Sequence, residues 1–154
     1  MGLRKKKFFL GCLSYFFFGI VILHAETVME VGNDGVLTLA DGKKVVLAGI
    51  QMDDQGVSVL RVLARKQDVK FQLLANSLHE GKESAYAYLK AKYVKFPVKI
   101  DRVPDEEEVL INEFLIKVGA AKVDEAQDFS RKARFLKVQD EARQKGEGVW
   151  SYQG

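Results

Sequence analysis

One cysteine, two histidines and two prolines in 154 residues exclude several protein classes at once. Cys12 on its own can neither close an internal disulfide nor build a cysteine-based zinc site. Two histidines, one of them close to the N-terminus at His24, leave no histidine-built metal centre to expect. So little proline, with 13 glycines, excludes a collagen-like or long disordered chain. No period of about 20–50 residues recurs, which removes solenoids and propellers. Charge of one sign is missing too. The net charge of +3 includes Arg4, Lys5, Lys6 and Lys7, and residues 1–25 contain no acid. Taking those four from 24 basic residues leaves 20 against 21 acidic ones over residues 26–154, a net charge of −1. A globally basic nucleic-acid-binding body is thereby excluded, with room left only for a local basic patch.

What is present is 47% hydrophobic and 29% charged, a globular composition of a length that suits one domain. Arg4–Lys7 precede an uncharged run from Phe8 to Leu23, followed by His24-Ala25-Glu26. A basic stretch, an apolar stretch and a small residue ahead of the first acid describe a secretory leader, with cleavage expected after Ala25. Sixteen residues make about 24 Å of helix, short for a spanning segment. An uncleaved anchor over residues 8–23 is the alternative. The expected division is therefore 1–25 as signal peptide or membrane anchor and 26–154 as one exported domain. That domain would be periplasmic, cell-surface or secreted, touching membrane only through the N-terminal segment. Absence of cysteine from the body fits an oxidising compartment in which no staple is used.

From Thr27 the pattern is β-like, with Met29 and Val31 expected on the face opposite Glu30. Asn33-Asp34-Gly35 and Asp41-Gly42 are turn signals bounding Val36–Leu39 and Lys44–Ile50, which predicts a three-stranded meander. Val59, Leu60, Leu63 and Ala64 switch to helical spacing, and Asp53-Asp54 stand where they would cap that helix, a pair holding a cation being the alternative. Val69–Leu74 returns to strand. Residues 83–92 are ambiguous, since Ala, Leu, Lys and Glu favour helix; read as a strand, they put Ala85, Ala87, Leu89 and Ala91 on one face and Tyr86, Tyr88, Lys90 and Lys92 on the other. Val94, Phe96, Val98 and Ile100 continue the alternation, with Pro97 marking an edge. Pro104 and Asp105–Glu108 predict a helix start, proline in the first turn and acids at the positive end of the dipole. Gly119 is the expected helix stop and Ala121–Val123 a short extended return. A last helix is predicted from about Asp128 to Lys145, its apolar face made by Phe129, Ala133, Leu136 and Ala142. Gly146 stops it, and Trp150 is expected to fold back on the core. The order is that of a small β-barrel with helices, an α+β protein.

Two stretches are more specific. Ile111–Val123, with Asn112-Glu113 and Gly119-Ala120-Ala121, resembles the corresponding segment of the staphylococcal nuclease (thermonuclease) family. Phe135–Trp150, with Glu141-Ala142-Arg143 and Gly146-Glu147-Gly148-Val149-Trp150, resembles that family's closing helix. Asn33–Leu39 and Val45–Ile50 are similar to its early strands. The resemblance implies an OB-fold five-stranded barrel with about three helices. It also implies calcium-dependent cleavage of DNA and RNA, in which carboxylates hold the metal, a glutamate handles the attacking water and two arginines neutralise the phosphate.

Carried over by position, that machinery is mostly missing. The metal aspartate of the family's "D-G-D-T" falls on Gly35 and the arginine of "V-R-L" on Val46. The second metal aspartate falls on Gln51, and the threonine beside it on Met52. The glutamate of "P-E" falls on Asp54, one methylene shorter, and the arginine of "Y-G-R" on Lys82, which keeps charge but not the bidentate fork. Asp54 and Lys82 are thus the catalytic positions kept in part. The expectation is a pseudoenzyme: loss of catalysis, no metal site, and no cofactor unless residual activity uses calcium. Tyr86, Tyr88, Lys90 and Lys92 are its candidate binding face, since aromatics stack bases and cations track phosphates. Partners would be single-stranded nucleic acid or an envelope protein, the chain itself being a monomer. A weak secreted nuclease and a structural envelope domain are the alternatives. His79-Glu80 and the basic run Arg131, Lys132, Arg134 and Lys137 are expected to be solvated surface. Tyr93–Arg102 lengthens the connection ahead of Asn112 as a candidate partner-binding edge.

Overall fold

The structure, a computed structural model, describes residues 23–75, 81–94 and 104–151. The leader through residue 22, His79-Glu80 and the alternating Phe96–Ile100 lie outside the described residues. Among the described residues, no helix is long and apolar enough to cross a membrane.

The chain opens with the meander that its turn signals predict: β1 (Leu23–Val31), β2 (Leu37–Leu39) and β3 (Lys44–Leu47), each antiparallel to the next. β1 begins upstream of the expected domain boundary, since Leu23, His24 and Ala25 pair with residues of a later strand. Its alternation also breaks. A register shift between Val28 and Glu30 turns Met29 and Glu30 both outward, while Val28 and Val31 are buried. Met29 is 55% exposed and does not share a face with Val31, because a bulge inserts one residue into the period of two.

A two-residue strand, β4 (Ile50–Gln51), leads into α1 (Asp54–Ala64). The Asp53 carboxylate accepts the Gly56 N–H at 2.8 Å, so this aspartate caps the helix as its position predicts. Val57, Leu60, Leu63 and Ala64 are the buried face. β5 (Asp68–Leu73) and β6 (Glu83–Lys90) follow. Sheet order is β3-β2-β1-β5-β6, and the parallel pairing of Val45–Leu47 with Glu83–Ala85 closes those five strands into a barrel. Closure leaves no free edge among the barrel strands where they pair, and Val28, Leu37, Val45, Val69, Phe71, Ala87 and Leu89 fill the inside.

After β6 the prediction and the fold part company. Pro104–Glu107 form a turn, closed by the Glu107 N–H on the Pro104 carbonyl at 2.9 Å. Glu108–Leu110 then form β7 against β6, and α2 (Ile111–Lys117) starts at Ile111. The acids do not serve a helix dipole. Glu106 takes both Lys90 and Lys92, and Glu108 takes Lys70, so cross-strand ion pairs hold the segment extended. Gly119, at φ +67°, ends α2 as expected, and a side chain there would meet the Glu147 carbonyl oxygen at 2.2 Å.

β8 (Lys122–Val123) pairs with β4, and α3 (Lys132–Lys145) closes the fold. α3 begins four residues later than predicted, because Phe129 folds inward against Gly49 ahead of the first turn. Its buried face is Phe135, Gln139 and Ala142, whereas Ala133 is exposed. Gln139 accepts the Val123 N–H at 2.7 Å, which links α3 to β8. Trp150 is buried as predicted, with the Arg143 guanidinium 4.3 Å and the Lys122 ammonium 5.0 Å from its ring centre. The observed architecture is the α+β barrel with three helices that the sequence predicts.

Candidate functional site

Two of the family's positions, Gly35 and Lys82, meet at the β1–β2 turn. The Asp34 carboxylate accepts the Val36 N–H at 3.2 Å, an Asx-type contact that shapes the turn. That bond, with the Lys82 ammonium 3.6 Å away, holds the Asp34 carboxyl below its ordinary range. Gly35 is buried at φ +78°, a conformation that suits glycine. A side chain built on it would meet the Met52 methyl at 3.0 Å and Val57 at 3.7 Å. The point from which the family projects a metal carboxylate therefore faces a thioether and a valine.

Around that point the other expected ligands are absent or otherwise engaged. Gln51 is exposed in β4, paired with Lys122 across the small second sheet. Val46 stands in β3 opposite Ser84 of β6, apolar where a guanidinium is needed. Asp53 has one oxygen on the Gly56 N–H, and Asp54 is an exposed residue in the first turn of α1. Among the described residues no group of three or more His, Cys, Asp or Glu side chains could hold a metal ion. An oxygen-ligated cation needs several anionic donors converging on one point, so the residues present do not fit the family's calcium. Lys82 is brought to the turn by its ion pair with Asp34, whereas Asp54 stands exposed at the start of α1.

The second candidate face changes more sharply. Tyr86 is fully buried, contrary to its expected outward place beside Tyr88. The start of α3 covers it. Phe135 meets the Tyr86 ring edge-on with centroids 6.1 Å apart, and the Arg131 guanidinium lies 4.9 Å from the ring centre. Tyr88 is half-buried, accepting from Arg131 at 2.9 Å and donating to Gln72 at 3.2 Å. Lys90 and Lys92 both pair with Glu106, whose carboxyl they hold down to about 2. The expected base-stacking face is therefore a buried tyrosine, a tethered tyrosine and two neutralised lysines.

The basic run on α3 is equally occupied. Arg134 forks onto Glu113, and Lys132 donates to the backbone carbonyls of Glu125 and Gln127 at 2.6 and 2.8 Å. Lys137 alone of the four is a plain exposed base. A side chain that sequence inspection leaves aside proves central: Asn112 is fully buried. Its amide donates to the carbonyls of Ala48 and Ala85 at 3.0 and 3.2 Å and accepts the Ala87 N–H at 3.0 Å. Its signal was the Asn112-Glu113 pair within the recognisable segment, which marks a tie between α2 and the barrel.

A closed five-stranded OB-type barrel carrying three helices defines the class of protein. Residues 79–152, from the approach to β6 through α3, match the family model of the staphylococcal nuclease homologues. The chain carries a staphylococcal-nuclease-like domain, with the strands ahead of the matched segment completing its barrel. No curated protein matches the chain.

Proposed function

We propose that this chain is an exported, non-catalytic nuclease-fold module that acts by binding, with a protein of the cell envelope as the favoured partner over nucleic acid. One observation carries the loss of catalysis: buried Gly35 faces Met52 and Val57 where the family's chemistry needs a carboxylate. A phosphoryl-transfer site works by concentrating positive charge on the transition state, and among the described residues around Gly35 neither a cation cage nor a pair of guanidiniums is assembled. Burial of Tyr86 and the pairing of Lys90 and Lys92 with Glu106 support protein over single-stranded nucleic acid. The basic and apolar character of residues 4–23 supports export, either by a cleaved leader or by an anchor over residues 8–23.

The test is cleavage of single-stranded DNA and RNA with calcium, magnesium or manganese against chelator, beside an Asp54→Ala, Lys82→Ala double variant. The expected result is no cleavage above the double variant and no rise in melting temperature with calcium, since a bound cation stabilises the state that binds it. Metal-dependent cleavage that the variant loses would establish a weak nuclease instead. Salt-sensitive retention on single-stranded DNA would restore nucleic acid as the ligand.

A further inference from the structure

Several lysines near the strands face a carboxylate, but Arg61 of α1 and Arg65, the residue that caps its C-terminal end, do not. Arg61 and Arg65 line an open cleft of about 450 Å³, together with Met29, Glu30, Gly32 and Asn33. Arg61 is half-buried and donates through Nε to the Val31 carbonyl at 3.3 Å and through Nη2 to the Asn33 side-chain oxygen at 3.1 Å. Both acceptors are neutral, so its geometry is locked while its charge is left uncompensated. Arg65, one helical turn on, is exposed and makes no ion pair among the described residues. The negative end of the helix dipole accounts for bases in a last turn. It does not account for a guanidinium that reaches off the helix to fix the β1–β2 turn.

The opposite wall comes from the bulge in β1. With normal alternation either Met29 or Glu30 would point inward; the register shift sends both outward, giving the cleft an apolar patch and one carboxylate. We infer that this cleft is a binding site for a small oxyanion, a phosphate or carboxylate group held by Arg61 and Arg65. Guanidiniums match both planar carboxylate and tetrahedral phosphate through paired N–H donors. A donor already held by Val31 and Asn33 loses little freedom on binding. Glu30 moderates the site, so that the two arginines and Glu30 act on an anion with opposite signs.

The experiment follows the arginine Nε–H and Asn33 side-chain resonances of the full chain in neutral detergent micelles. Inorganic phosphate, succinate and chloride are added at matched ionic strength. Saturating shifts with phosphate, succinate or both, absent with chloride, are expected, and which of the two saturates identifies the source of the oxyanion. Arg65→Gln, which removes no internal bond, should weaken binding by about tenfold or more. Glu30→Gln should tighten it. Shifts that merely follow ionic strength, an affinity unchanged in Arg65→Gln, or weaker binding in Glu30→Gln would each overturn the assignment.

Discussion

Asn112 bonds three backbone groups on two sides of the barrel seam. Asn112→Ala should lower unfolding free energy by about 2–3 kcal/mol, read from urea denaturation, because the Ala48 carbonyl and the Ala87 N–H lose their side-chain partner while the Ala85 carbonyl keeps the Ala48 N–H. At Asp53 the expected loss is smaller. Removing the cap in Asp53→Ala should lower stability by about 1 kcal/mol. It should do so equally with and without calcium, whereas a metal ligand would show its loss only when the metal is present. Residue identity made Asp53 readable in advance, since a carboxylate just ahead of a helical period is a cap by local chemistry. Tyr86 was not readable. A tyrosine outward on a strand looks solvated until a helix more than forty residues further on lies over it.

At the scale of elements, the acids of Pro104–Glu108 show how tertiary charge overrules a local rule. A helix dipole contributes a few tenths of a kcal/mol to about 1 kcal/mol per acid. Backbone pairing with β6, together with salt bridges to Lys70, Lys90 and Lys92, draws the same acids into an extended segment. The pH dependence follows from the sign. Glu106 has its folded carboxyl lowered from 4.5 to about 2, first by Lys90 and then by Lys92. Its contribution is therefore complete above the ordinary carboxylate range and fades as pH falls from there towards 2. Glu106→Gln should remove that part of the acid sensitivity, so wild type and variant should converge between pH 5 and about pH 2 in chemical denaturation. A wild type whose advantage is unchanged at the acid end would show that the lysines do not hold this carboxylate.

For the whole molecule, closure between β3 and β6 makes the barrel, and the pairing is parallel and distant in sequence. The expected division at residue 25 cuts through β1, whose Leu23, His24 and Ala25 pair with Gln72, Phe71 and Lys70. A chain beginning at Glu26 should still fold, because those three residues are exposed and the core contacts start at Val28. It should lose hydrogen-exchange protection at the β5 amides facing them. Protection unchanged in the shortened chain would mean that these rungs do not form in solution.

Turn dipeptides, the helical period of α1, the glycine ending α2 and the two C-terminal stretches were all decided by local sequence. They act through residues a few positions apart, where backbone geometry and capping chemistry leave few choices. The same is true of the absent carboxylates at Gly35 and Gln51, since no fold can supply a side chain that is not there. The bulge that turns Met29 outward, the burial of Tyr86, the pairing of Glu106 with Lys90 and Lys92, and the cleft between β1 and α1 depend on which distant segments meet. Those outcomes were decided by packing and charge across the closed barrel, which no local window of sequence contains.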